Sequence, residues 1–223
     1  MSKPPFDSLN LGDHVGDDSQ AVASNRQHLA KLWGVKPVFL TQVHATELVE
    51  IDAHTADGTE ADACWTKAQG VACTIMVADC LPVLFYQPEA RVVAAVHAGW
   101  RGLAAGILEN SLQALSVFGA PPTWRVWLGP CIGPQVFEVG QEVHDAFGPQ
   151  AKLDGMFKAL PKPGQYLADL PALARQRLRQ LGMEHPEGND SSPIWCTYTQ
   201  ACIYFSHRRD GRSGRMAAGI ALV

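Results

Sequence analysis

An α+β fold, a mixed sheet covered by helices, is what this 223-residue sequence predicts, and three observations predict it. Short apolar runs rich in Val, Ile and aromatic residues follow one another through the first half of the chain, each of strand length. Helix-like segments stand at both ends of this region and once in the middle. Strict strand–helix alternation is missing, which argues against a doubly wound parallel sheet.

The elements follow in order. Asp17-Asp18-Ser19 supplies N-cap chemistry for a helix that runs to Trp33 and stops at Gly34. Residues 38–43, 48–51, 71–77, 81–86 and 91–97 read as strands. Residues 103–117 read as a helix, 124–128 as a strand and 167–181 as a further helix ending before Gly182. The C-terminus reads as a hairpin, 203–205 pairing with 216–222 across the turn-forming Asp210-Gly211. The Pro- and Gly-bearing stretch 149–164 is the least patterned and reads as a surface loop. With 47% hydrophobic residues, residues 1–223 are expected to build one domain.

Charge and composition remove several function classes. Eighteen Lys+Arg against 22 Asp+Glu give a net charge of −4, with no basic stripe, so nucleic acid is not an expected partner. No apolar run approaches bilayer length, and no secretory signal opens the sequence, so a cytoplasmic protein is expected. Six scattered cysteines do not make a disulfide scaffold, and the absence of CxxC excludes the paired-cysteine zinc knuckle. A metal site, if present, must mix His and Cys.

Three segments carry metal-capable residues at strand ends: Thr41-Gln42-Val43-His44, Ala78-Asp79-Cys80 and His97-Ala98-Gly99-Trp100-Arg101-Gly102. Two imidazoles and a thiolate suit Zn²⁺, and three protein ligands leave a fourth position open, as in catalytic sites. Each residue also has a plainer reading, as a hydrogen-bonded histidine or an apolar cysteine. A metal-free nucleophile and base, Cys80 and His97, is the minority reading. Gly99 and Gly102 flank Trp100-Arg101 at an expected helix start, where free N–H groups can hold an anion. Arg208 and Arg209 precede a turn, and Arg26 lies within the first helix; a solvated surface is the plainer reading of all three.

Taken together, LNLGDHVGDD, Asn25-Arg26, TQVH, ADCLPV, HAGWRG, GPCIG…FEVG and FSHRRDGRSGRMAA resemble the YfiH-like family. This is also known as the laccase-domain or polyphenol-oxidase family, and is associated with purine nucleoside phosphorylase activity. The resemblance implies a single-domain layered α/β/β/α sandwich, and zinc held by His44, Cys80 and His97. It implies a purine nucleoside (adenosine, inosine, guanosine or methylthioadenosine) and phosphate as substrates. Arg101, Arg208 or Arg209 would then bind phosphate through forked donors, with Arg26 and Asp62 as further substrate contacts. Asp62, Asp79 and His207 are the candidates to protonate the departing base.

Adenosine deamination ranks second, because no HxE triplet accompanies His44 or His97. An amidase acting on aberrant peptidoglycan precursors is the enzyme alternative, and a zinc-stapled binding module the non-enzymatic one. Polyphenol oxidation is disfavoured, since no HxH pair occurs among the 8 histidines, although copper can replace zinc at such ligands. Family members begin further upstream, with a strand and a TxRxGG-like stretch. Lacking these, the chain is expected to expose a sheet edge and to bind anions less well.

Overall fold

The computed structural model describes residues 1–149, 151 and 154–223. Helix α1 spans Ser19–Trp33 as the sequence predicts: the Asp18 side chain caps it by accepting from the Gln20 N–H, and Gly34 exits in the left-handed region. Six strands and two helices follow: β1 (Lys36–Phe39), β2 (Leu48–Glu50), β3 (Ala63–Thr66), β4 (Val71–Val77), β5 (Leu81–Gln87), β6 (Val92–Ala98), α2 (Trp100–Ala104) and α3 (Ile107–Leu115). The second half contains β7 (Arg125–Leu128), β8 (Glu138–Gly140), α4 (Gln141–Ala146), β9 (Phe157–Ala159), β10 (Gln165–Ala168), α5 (Leu170–Gln180), β11 (Glu187–Gly188), α6 (His207–Asp210) and β12 (Met216–Ala221).

Two mixed sheets stack face to face. One has the order β1-β4-β12; the other, six-stranded, runs β11-β7-β5-β6-β3-β2. Their facing side chains, including Val38, Cys73, Ile75 and Val77 from one and Cys64, Val93 and Ala95 from the other, form an inner core. Helix α1 covers the outer face of the three-stranded sheet through Leu29, Trp33, Phe39 and Met76. The outer face of the six-stranded sheet packs Phe85, Ala94 and Val96 against Leu108 and Leu112 of α3 and Leu173 and Leu178 of α5. This is a helix/sheet/sheet/helix layering, and it explains why β4 and β6 are buried along their whole length. Strands covered on both faces read as unbroken apolar runs, which is why they were legible as strands.

Four expectations need correction. The helix predicted over 103–117 is broken: Gly106 adopts φ 91, a conformation open to glycine, and separates α2 from α3. Leu167 and Ala168 belong to β10, paired with Lys158 and Phe157, because the Asp169 cap and Pro171 start α5 only after them. The predicted surface loop 149–164 contains β9, while residues 150, 152 and 153 of it lie outside the described residues. The C-terminal hairpin does not form. Strand β12 pairs antiparallel with β4, Met216 opposite Val77, and Ile203 is exposed. The segment before Gly211 is instead helix α6, capped by the Ser206 hydroxyl accepting from the Arg209 N–H. Among the described residues, no helix is long and apolar enough to cross a membrane.

Candidate metal centre and its cavity

The three metal-capable residues arrive from three connections of the double sheet. His44 follows β1, Cys80 sits in the β4–β5 turn, and His97 lies on β6 opposite Pro82 of β5. Their ligand atoms lie within 4.8 Å of one another, and Cys80 Sγ is 3.7 Å from His44 Nε2. Tetrahedral zinc with ordinary bond lengths separates its N and S ligands by about 3.5 Å, so the donor set fits such an ion. Gly99 makes the approach possible: a Cβ there would stand 3.0 Å from both Cys80 Sγ and His44 Cδ2. The glycine expected to cradle an anion is therefore a spacer for the ligand side chains.

Asp62, just before β3, organises the centre from beneath. It is fully buried, and its carboxylate accepts from the N–H groups of Val43 (3.1 Å), His44 (2.9 Å) and Ala45 (2.8 Å) and from His97 Nδ1 (2.8 Å). Burial alone would raise its pKa; the hydrogen bonds from His97, Ala45 and Val43 outweigh burial and hold it below the usual carboxylate range. Three converging backbone donors explain why His44 sits at φ 62, a costly conformation for a residue with a Cβ. The bond to Nδ1 leaves Nε2 of His97 for the centre, the arrangement common behind metal-bound histidines. Asp62, expected from sequence as a substrate contact or proton donor, thus has a fully buried carboxylate that accepts from four donors.

Without a metal, the centre is a thiolate–imidazolium pair. Burial favours the neutral thiol, but His97 and His44 overcome it and bring Cys80 down to about 6. Burial likewise opposes the imidazolium, and Cys80 and Asp62 overcome that, raising His97 to about 9. At neutral pH the Cys80 proton is thus already lost, whereas a cation would have to displace the proton that His97 retains.

Beside the pair opens a cavity of about 170 Å³. Trp100, Ile132, Phe137 and Leu170 give it an apolar wall; Arg101 and Arg208 give it charge, and His207 adds an imidazole. The Arg101 guanidinium stacks 4.5 Å from the Trp100 ring centroid. Arg208 reaches over Phe137 and donates from Nη1 to the Glu138 carbonyl (2.7 Å). Asp79, at φ 88, accepts from the Thr197 hydroxyl and from the Arg208 N–H, both at 2.6 Å. With both oxygens accepting, it ties α6 to the β4–β5 turn.

Two arginines named from sequence lie elsewhere. Arg209, expected from sequence to bind phosphate, donates to the carbonyls of Thr197, Tyr198 and Tyr204 and to the Asp210 carboxylate. Arg26 lies on α1 and bridges Asp13 (3.3 Å) and Asp57 (3.2 Å), away from the cavity wall. Arg215, in the run SGRMAA, stands just before β12 and so beside the strand that leads to Ala78-Asp79-Cys80.

The family model described as multi-copper polyphenol oxidoreductase laccase matches residues 1–223. The chain belongs to that family. Within it, a Pseudomonas aeruginosa protein named purine nucleoside phosphorylase is 46% identical over 219 residues, covering 98% of this chain and 87% of the relative. Escherichia coli YfiH, of the same enzyme name, is 44% identical over 226 residues, covering 100% and 90%. A crystal structure of a Neisseria meningitidis protein superposes with TM-score 0.91 at 42% identity, over 100% of this chain and 89% of that one. YlmD of Geobacillus stearothermophilus superposes at 0.89 with 33% identity, over 100% and 87%. The family and the layered fold expected from the sequence motifs are thus both found.

Proposed function

We propose that the protein is a zinc-dependent purine nucleoside phosphorylase. One observation carries the reading: His44, Cys80 and His97 converge beside a cavity that has an apolar wall for a purine and two guanidinium groups at its edge. The names of the relatives, 40–46% identical for four of them, agree with it.

The chemistry requires a phosphate oxygen to form a bond to ribose C1′ as the C1′–N9 bond breaks. The electron pair leaves with the purine, which takes up a proton. Trp100, Ile132, Phe137 and Leu170 exclude water from the base and offer it aromatic and aliphatic contacts. Arg101 and Arg208 supply charged hydrogen bonds to the nucleoside–phosphate pair. With Asp62 and Asp79 committed as acceptors, His207 is the titratable side chain in the cavity wall left to deliver the proton. Asp62 fixes the ring of His97 and the backbone of His44. A zinc ion held by His44, Cys80 and His97 would supply Lewis acidity toward a substrate oxygen.

The test is product analysis of inosine and adenosine incubated with zinc-quantified protein, with and without phosphate. Free base and ribose 1-phosphate formed only with phosphate are expected. Inosine formed from adenosine would add the deaminase activity. No base release from zinc-loaded protein would sink the reading.

A second reading has its own observation. Asp62, His97 and Cys80 stand in the order carboxylate–imidazole–thiolate, the arrangement of a cysteine hydrolase. Amide cleavage of a muropeptide by metal-stripped protein, abolished by alkylating Cys80, would favour it.

A further inference from the structure

We infer that the attacking phosphate is held not among the cavity arginines but by Arg215, on the opposite side of the metal-capable centre; the inference rests on the phosphorolysis reading above. Two facts of the layering define the sides. The cavity wall residues Ile132, Phe137 and Leu170 belong to the core outside the six-stranded sheet. Arg215 instead precedes Met216, which pairs with Val77, so it runs beside Ala78 at the end of the other sheet. Side chains at cross-strand positions share a face. The next strand position on that face, Ala217, packs with Leu11, Leu29 and Met76 beneath α1. Arg215 therefore approaches the Ala78-Asp79-Cys80 turn from the α1 side, and it interacts electrostatically with both Asp79 and Cys80.

A frame of specific contacts holds it there. Its N–H donates to Asn10 Oδ1 (2.8 Å) and its carbonyl accepts from the Leu11 N–H (2.9 Å). Asn10 is fully buried and also donates to the carbonyl of Gly12 and to Asp17. Gly12 is cut to fit the arginine: a Cβ there would stand 2.7 Å from Arg215 Cγ. The guanidinium spends Nη1 on the carbonyls of Ser213 and Gly214. Nε and Nη2 carry no hydrogen bond to any described residue and are not sealed from solvent, which leaves one edge of the fork open. A fork edge of this kind matches two oxygens of a phosphate.

Charges of both signs surround it: Asp79 and Cys80 on the turn side, Arg26 and His14 on the other. Arg26 and His14 stand near enough that the two arginines, after burial, depress the pKa of His14. Asp13 and Asp57 balance Arg26, but they bond to it and not to Arg215. Substitution at C1′ with the purine leaving from one side requires the phosphate oxygen to arrive from the other. A base in the Trp100–Phe137 cavity and a phosphate on Arg215 meet that requirement, with the metal-capable centre between them. Arg101 and Arg208 then face the nucleoside.

The experiment titrates inorganic phosphate against the full zinc-loaded chain, followed by ³¹P line width, and measures KM for phosphate and for inosine. Arg215→Met is expected to raise both the phosphate dissociation constant and the phosphate KM at least about tenfold, the loss of a bidentate charged contact, with inosine KM and zinc content nearly unchanged. Arg215→Lys, which keeps the charge and the aliphatic stem, is expected to restore binding in part and guards against a misfolded Met variant. Equal phosphate titration of wild type and a folded variant overturns the inference, as does inosine KM rising in step with phosphate KM, or wild type showing no saturable phosphate binding. Phosphate binding that depends on Arg215 in a protein that releases no base would leave the anion site standing and sink the phosphorylase reading.

Discussion

The two halves of the cavity are held by opposite means. On the metal-capable side, position comes from the sheets: His44, Cys80 and His97 leave strand ends, and a buried carboxylate gathers three backbone N–H groups and one imidazole. On the arginine side, residues 196–210 contain one bridge, Cys196 to Cys131, and a four-residue helix, and charged side chains do much of the holding. Arg209 captures three carbonyls, and Asp79 captures the N–H of Arg208. A site built on strands keeps its geometry when one surface contact is lost, whereas a loop pinned by a few charged hydrogen bonds does not. Metal binding and substrate binding should therefore be separable by mutation.

The largest expected effect is that of Cys80→Ala, which removes the only sulfur donor of the centre. Bound zinc, measured by mass spectrometry of metal content, should fall to background and phosphorolysis with it, while the circular dichroism spectrum stays native. Stoichiometric zinc in this variant would break the assignment. Asp62→Asn comes next. An amide oxygen still accepts, but it no longer carries the charge that orients His97, and zinc affinity should drop about 10- to 100-fold in a competition assay.

Arg209→Gln should leave zinc untouched and loosen the opposite half. Losing charged hydrogen bonds to three carbonyls is expected to cost about 1–3 kcal/mol in urea unfolding, and kcat/KM should fall with α6 displaced. Arg101→Ala sharpens the comparison further: nucleoside KM should rise several-fold while phosphate KM stays, the reverse of Arg215→Met. A phosphate KM that rises with Arg101→Ala would return the anion to the cavity side.

The smallest effect concerns protons. In metal-stripped protein, Cys80 should alkylate as a thiolate, its rate climbing through about pH 6 and then levelling, because His97 and His44 hold its pKa below the ordinary value of 9.0. The sign follows from the thiolate being the nucleophile: a lowered pKa moves the rise to lower pH. Added zinc should suppress the reaction. A midpoint near 9 would mean that the pair with His97 does not form.

The residue types already contained the metal-capable centre. His44, Cys80 and His97 stood at strand ends of runs that the apolar pattern marked out, and α1 carried its own start and stop signals in Asp18 and Gly34. Strands β4, β5 and β6 were legible because burial on both faces leaves no polar alternation. Three short strands were not: β3, β8 and β9, of three or four residues, lack the Val- and Leu-rich runs that marked β1, β2 and β7, and their pairing comes from distant partners. The same reason hid the roles of the charged residues. Arg209, Arg26, Asp62 and Arg215 have identical side-chain chemistry whether they bind a ligand or a neighbouring carbonyl. Only the packing of β12 beside β4, and of residues 43–45 over Asp62, decided which neighbours they meet. Local pattern and donor chemistry are written along the chain; the commitment of a charge is settled by whichever partners the tertiary fold brings within hydrogen-bond reach.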